Sequence, residues 1–159
     1  NLVGCAYTTG KIEIKSDGTP WRPVVHVRDA SQAFIAGLEA PPELVNGQAI
    51  NLCILNGNFT VQELADAARR AVPGSEIVFT GEHGRDSRTY RVSFNKILSV
   101  LKDYYRPEWD LDRGAREMIE LFDKIGFTGD HLRARFTNRL LQIRYLLDKK
   151  QTDKNLRWY

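Results

Sequence analysis

Residues 16–30 constrain the fold of this chain more than any other stretch, because they combine a turn, a strand and the start of a helix. They read SDGTPWRPVVHVRDA. The Asp-Gly pair predicts the turn, the valines of residues 24–27 predict a short buried strand, and Asp29 is suited to cap the helix that follows. Arg22 then lies in the strand among apolar side chains, where its charge needs a partner.

The rest of the chain alternates between helical and strand patterns. In the first half, the patterns predict a helix over 1–9 closed by Gly10, a strand over Lys11–Ile14, a strand over 48–54 and a helix opened by the capping box Thr60-x-x-Glu63. In the second half, they predict a strand over 76–80, a helix capped by Ser93 and a helix opened by Asp110 or Asp112. A helix over 136–148 and an extended tail over 149–159 complete the chain. Helices with a few short strands do not make a complete doubly wound sheet. We therefore predict an α/β fold of the α+β-like kind, forming a lobe that packs on something else.

Two of the predicted helices carry an apolar face at helical spacing. The face of the first comprises Ala30, Ala33, Phe34, Gly37 and Leu38. The face of the second comprises Val61, Leu64, Ala65, Ala68 and Val72. We expect both faces to point toward a core.

Charge divides the chain into two parts. The formal net charge is +3, yet residues 131–159 contain eight Lys and Arg and only two acids. We therefore predict a main lobe over residues 1–130 and a basic C-terminal helix and tail over 131–159. A basic tail of this kind either presents a solvated helix face or contacts a partner, acidic lipid or nucleic acid.

Composition also bears on the compartment. No apolar run approaches the ~20 residues that a membrane-spanning helix needs, so no membrane contact is expected. The only cysteines, Cys5 and Cys53, lie in apolar surroundings and form no C-x-x-C pair. They are interpreted as buried free thiols of a cytoplasmic protein in a reducing environment.

Several catalytic and cofactor patterns do not occur in the sequence. A dinucleotide site needs a strand, a glycine-rich turn and a helix, and Gly81-x-x-Gly84 is only a lone pair in a loop. Tyr7 and Lys11 spell Y-x-x-x-K, but Gly10 would end the helix before the lysine, so no catalytic residue is predicted. The three histidines are isolated, and no metal site is expected.

Four places in the sequence resemble one family. They are residues 1–3 with the pattern N-L-V, the strand Lys11–Ile14, the block WRPVVHVRD at residues 21–29 and the block DSRTYRVSFNKI at residues 86–97. Together they resemble the substrate-binding part of extended short-chain dehydrogenases/reductases, the family of NAD-dependent sugar-nucleotide epimerases and dehydratases. The resemblance extends over nearly the whole chain.

This resemblance implies the C-terminal, substrate-binding portion of such an enzyme. NAD would be the cofactor of the full-length enzyme, and this chain alone would bind none. The expected partners are a UDP-, dTDP- or CDP-linked sugar and a missing N-terminal NAD-binding half, and self-association is plausible. Alone, the chain is predicted to be inactive. The alternative is a non-enzymatic interaction module whose basic tail docks on a partner or nucleic acid.

The resemblance also implies which residues would bind the substrate. Asn1 and Leu2 would hold the pyrophosphate or sugar, while Asp86 and Arg88 would contact the ribose or the diphosphate. Arg22 would grip the diphosphate, because the planar guanidinium can bind two oxygens at once. For Arg22 an internal ion pair, for instance with Asp86, is the other possibility.

Overall fold

A computed structural model of the chain describes residues 1–53, 56–81 and 89–159. Within these residues the chain forms helices joined by a few short strands. The elements are α1 (Leu2–Thr9), β1 (Lys11–Ile14), β2 (Trp21–Pro23), α2 (Val27–Glu39), α3 (Pro42–Val45), β3 (Asn58–Thr60), α4 (Val61–Ala71), β4 (Glu76–Phe79), α5 (Asn95–Val100), α6 (Leu111–Ile125), α7 (Gly129–Arg133) and α8 (Arg139–Asp148).

The strands pair in two small sheets. β1 runs parallel to β4, with Lys11 opposite Glu76, and β2 runs antiparallel to β3, with Arg22 opposite Phe59. In the part of the chain that the structure describes, each sheet has two strands. The prediction of an α/β lobe with few strands and no complete doubly wound sheet is therefore confirmed.

Two apolar clusters form the interior. The first lies between α1, β1 and α4 and contains the buried residues Ala6, Ile12, Ile14, Ala65 and Ala68. The second lies beneath α2 and α5 and contains Ala33, Ala36, Ala40, Cys53, Phe94, Ile97, Leu101 and Tyr105. In the second cluster the Tyr105 hydroxyl donates a 2.8 Å hydrogen bond to the Cys53 carbonyl.

Three of the predicted helix ends are confirmed. The Thr60 hydroxyl accepts from the Glu63 N–H at 3.1 Å, and the Glu63 carboxylate accepts from the Thr60 N–H at 2.7 Å, which completes the capping box. Asp110 caps α6 by accepting from the Arg113 N–H. Gly10 ends α1 with φ of 69°, a left-handed conformation that favours glycine.

The predicted strand over the valines of 24–27 is wrong. The strand lies earlier, at Trp21–Pro23, because α2 begins at Val27 and His26 is its cap. The His26 Nδ1 accepts from the Arg28 N–H at 3.2 Å. Asp29 therefore does not cap its own helix. Its carboxylate is buried and accepts from the N–H groups of Glu108 and Trp109, at 3.0 and 3.1 Å, so it holds a distant segment instead.

Three further predictions differ from the structure. Residues 48–53 have no strand ladder, and residue 54 lies outside the described residues, while the strand of this region is β3. Phe94 rather than Ser93 precedes α5. The predicted extended tail folds back, because Thr152 and Trp158 form an antiparallel bridge after α8.

The cysteines also differ from each other. Both are free, but only Cys53 is buried, whereas Cys5 is half-buried, so the prediction of two buried thiols is wrong for Cys5. None of the described helices is both long and apolar enough to cross a membrane. Among the described residues, no group of three or more His, Cys, Asp or Glu side chains could hold a metal ion.

Candidate functional site

A cavity of about 360 Å³ lies where the start of α1 meets the segment after β2. Asn1 and Leu2 line it on one side, together with Val24, Val25 and His26. Residues of α4 and α6 form the opposite wall. The structure thus brings two of the predicted site residues next to the block that follows Arg22.

Asn1 and Leu2 bring the start of α1 to the 360 Å³ cavity. Asn1 is exposed and occupies the N-cap position, but its side chain makes no capping hydrogen bond. The first-turn N–H groups of a helix lack partners within the helix, and the helix dipole makes this end positive. Both features favour an anionic group beside Asn1.

Arg22 occupies the centre of β2, half-buried between Trp21 and Pro23. Its Nη1 donates to the Trp21 carbonyl at 2.8 Å, and the side chain makes a further interaction as well. Arg22 does not line the 360 Å³ cavity, whereas Val24, two residues later, does line it. β2 thus ends directly before the cavity wall.

Asp86 and Arg88, the remaining predicted site residues, lie outside the described residues. The chain after them is anchored to β2, since the Trp21 N–H donates to the Thr89 hydroxyl at 3.0 Å. Thr89 directly follows Arg88 in the sequence and contacts Trp21, the residue before Arg22.

A second cavity, of about 620 Å³, lies on the other side of this junction. The Arg91 guanidinium covers the Trp21 ring at 4.3 Å, which is a cation–π contact. The Asn58 side chain makes two hydrogen bonds with the Val92 backbone. Its Nδ2 donates to the Val92 carbonyl at 2.8 Å, and its Oδ1 accepts from the Val92 N–H at 2.9 Å. Arg91 and Asn58 both line this cavity.

A polar cluster fixes the His26 end of the 360 Å³ cavity. The His26 ring stacks on Trp109 with centroids 3.8 Å apart, and its Nε2 lies 2.9 Å from a Glu117 oxygen. Arg28 contacts the other oxygen of Glu117 at 2.8 Å. Sequence reasoning missed Trp109 and Glu117, because no local spacing links them to residues more than 80 positions earlier.

The Y-x-x-x-K pair does not form a catalytic site in this geometry. Tyr7 donates its hydroxyl proton to Asp123 at 2.7 Å, and this hydrogen bond raises the pKa of Tyr7. A tyrosine that acts as a base needs the opposite shift. Lys11 lies beyond the helix end at Gly10, on β1.

Sequence comparison finds a similarity between part of this chain and a known family. Residues 1–53 match the family model described as NAD dependent epimerase/dehydratase family. These residues include α1, β1, β2 and α2, and therefore one side of the 360 Å³ cavity. The predicted resemblance to extended short-chain dehydrogenases/reductases of the epimerase and dehydratase class is confirmed.

Solved structures share the fold over a wider span. Matches include UDP-glucuronic acid 4-epimerase from Bacillus cereus, in complex with UDP-glucuronic acid and NAD, with 16% identity over 78% of this chain and a TM-score of 0.60. L-threonine dehydrogenase from Phytophthora infestans matches with 16% identity over 77% of this chain and a TM-score of 0.62. The NAD-dependent NDP-hexosamine 5,6-dehydratase TunA matches with 16% identity over 77% and a TM-score of 0.55.

This chain covers only 38% to 40% of the length of those structures. At such identities the likeness shows a shared fold. The similar proteins include an amino-acid dehydrogenase as well as enzymes of nucleotide sugars, so the fold does not choose between these substrate classes.

Proposed function

We propose that this chain is the substrate-binding portion of an NAD-dependent nucleotide-sugar epimerase or dehydratase, and that it positions the nucleoside diphosphate. The observation that carries the proposal is the position of Arg22, on a strand that leads directly into the cavity lined by Asn1 and Leu2. The family match of residues 1–53 supports it.

Two positive features would meet the diphosphate in this arrangement. The open first turn of α1 offers N–H groups to one phosphate. The guanidinium of Arg22 offers two parallel N–H donors to the other, which lysine could not do. Asp86 and Arg88 are proposed to contact the ribose or the diphosphate from the segment that ends at Thr89.

The described residues do not fit a dinucleotide site. Among them, β3 leads directly into α4 through the Thr60 cap, and β2 leads into α2 through residues 24–26. Neither junction contains a glycine. A pyrophosphate needs a glycine-rich turn at such a junction. We therefore assign no redox step to this chain, and hydride transfer would belong to a separate NAD-binding half.

Calorimetric titration with UDP-, dTDP- and CDP-linked sugars tests the proposal. Arg22→Ala is expected to weaken binding by about 30-fold to 1,000-fold, which corresponds to the ~2–4 kcal/mol of a charge-assisted bidentate contact. Arg69→Ala is the matched control, because Arg69 pairs with Asp66 on the outside of α4. Absence of binding to all three sugars, or equal losses in both variants, would contradict the proposal.

A turnover assay separates binding from catalysis. With NAD and the sugar that binds best, the purified chain is expected to show no epimerase or dehydratase activity. Measurable turnover would show that the chain holds its own catalytic groups. Sequencing of the coding region upstream of Asn1 provides a second check, because the proposal expects a glycine-rich turn and a Y-x-x-x-K helix there.

The C-terminal part supports the alternative of an interaction module. Residues 131–159 are basic, and Leu140, Trp158 and Tyr159 expose large apolar surfaces. Binding to duplex DNA that weakens steeply with salt would favour this alternative, because such a slope measures released counterions.

A further inference from the structure

His26 makes two hydrogen bonds that together specify a neutral ring. Its Nδ1 accepts from the Arg28 N–H at 3.2 Å and is therefore the side-chain cap of α2. A ring nitrogen that accepts carries no proton, so the proton of the neutral ring is on Nε2. Nε2 lies 2.9 Å from a Glu117 oxygen and donates to this carboxylate. The two bonds thus select one tautomer of an uncharged imidazole.

Helix α6 and the residues just before it enclose this ring. Trp109 stacks on it with an angle of 7° between the two planes. A Cβ on Gly114 would lie 3.5 Å from the ring Cδ2, so the backbone of α6 passes close to the ring edge. Only 17% of the His26 side chain is exposed. Rotating the ring away from the Arg28 N–H would therefore break its contacts with α6.

We propose that His26 is a pH-responsive positioning residue of the 360 Å³ cavity. A proton taken up from water at Nδ1 places an N–H opposite the Arg28 N–H, so the acceptor is lost and α2 is uncapped. Val24, Val25 and His26 form the part of the cavity wall that leads into this helix. Loss of the cap frees this wall segment to move, and a ligand of the cavity then binds more weakly at acidic pH.

Charged groups of both signs surround the ring. From α2, and from α6 with its cap, they are Arg28, Asp29, Asp110, Arg113 and Glu117. The residues of α1 and α4 that line the cavity have no charged side chain. The carboxylates attract a proton on the ring and the guanidinium groups repel it. These effects oppose each other, whereas the Arg28 N–H binds only the unprotonated Nδ1, so this hydrogen bond distinguishes the two protonation states.

Solvent exchange of the Arg28 amide, measured by NMR, tests the proposal without any ligand. Between about pH 7.5 and 5.5, where histidines titrate, protection of this amide relative to its intrinsic exchange rate should fall about fivefold, as expected for the loss of one helix cap. His26→Asn should show no such fall, because the asparagine oxygen can accept from the same N–H and does not titrate. Equal pH dependence in wild type and His26→Asn would overturn the proposal.

Two further variants identify the group that titrates. His26→Ala removes the acceptor, so protection of the Arg28 amide should be low at both pH values, and His26→Asn should restore it. His131→Asn is the matched control, because the His131 Nδ1 accepts from the Thr128 N–H at 3.1 Å and caps α7 instead. It should leave the pH dependence at Arg28 unchanged, and loss of that dependence in His131→Asn would overturn the assignment to His26. Circular dichroism checks that all three variants are folded.

The effect on a ligand rests on the proposed function. With the nucleotide sugar that binds best, the Kd should rise about fivefold over the same pH range in wild type and by less than about twofold in His26→Asn. A constant wild-type Kd alongside a loss of protection at Arg28 would overturn the link between the cap and the cavity. Absence of binding to every sugar would instead contradict the proposed function, while the exchange of the Arg28 amide still decides the role of His26.

Discussion

Helices α4 and α2 both have an apolar face in the sequence, but they use it in different ways. In α4 the predicted face points inward, with Ala65 and Ala68 buried against β1. In α2 the buried residues are Asp29, Ala33 and Ala36, while Phe34 and Leu38 point outward.

The difference teaches that a helix packs by the shape of its face as well as by its hydrophobicity. The small side of α2 lets the backbone approach the cluster around Ile97 and Tyr105 closely, which large side chains would prevent. The large side chains of Phe34 and Leu38 remain exposed on the other side of the helix. The same helix therefore stabilises a core on one side and leaves apolar side chains exposed on the other.

The largest expected effect concerns the one buried charge on the inner side of α2. Asp29→Ala should lower the free energy of unfolding by about 3 kcal/mol, because the buried N–H groups of Glu108 and Trp109 would lose their acceptor. Denaturant unfolding measures the loss. Asp112→Ala, which removes an exposed carboxylate paired with Arg70, is the control and should cost less than about 1 kcal/mol. Equal losses would mean that Asp29 is not a structural acceptor.

Matched changes in the two helices give the next largest effect. Ala36→Leu in α2 and Ala65→Leu in α4 should each cost about 2 kcal/mol of unfolding free energy, because both sites are fully buried and overpacking strains the core. Leu38→Ala should change it by less than about 0.5 kcal/mol, since this leucine is exposed. Thermal unfolding gives the comparison. A larger loss for Leu38→Ala would show that the outer face of α2 is packed against the chain.

Local patterns predicted the parts of the fold that depend on neighbouring residues. The capping box at Thr60, the helix end at Gly10 and the strand Lys11–Ile14 are all correct, because a few adjacent residues decide them. The error at residues 24–27 has a tertiary cause. Valines favour a strand, but the contacts of His26 with Trp109 and Glu117 hold the start of a helix there instead.

The candidate site shows the same limit. The block around Arg22 and the pair Asn1 and Leu2 could be chosen from sequence, because a family pattern marks them. The contribution of α6 to the cavity wall could not, since its residues lie about 90 positions further along and carry no motif. Likewise, periodicity predicted that Phe34 and Leu38 of α2 would point toward the core. This is wrong, because both side chains are exposed and the core contacts the side of α2 that carries Ala33 and Ala36.

The smallest expected effect is a dependence of the free energy of unfolding on pH that differs between the two cores. Burial raises the pKa of the Cys53 thiol above its ordinary value of 9.0, and the charge of Asp29 adds to the shift. The folded state therefore holds this proton more tightly than the unfolded state. The contribution of the thiol to the free energy of unfolding is fully present below pH 9 and is lost as the pH rises further. We expect a slope of at most about 1.4 kcal/mol per pH unit between pH 9 and 10, measured by denaturant unfolding, and a shallower slope in Cys53→Ala.

The cluster beneath α4 has no titratable member among its buried residues, so Ala68→Gly should weaken the fold without changing the slope. Identical slopes in wild type and Cys53→Ala would contradict the assignment of the alkaline loss to the core beneath α2.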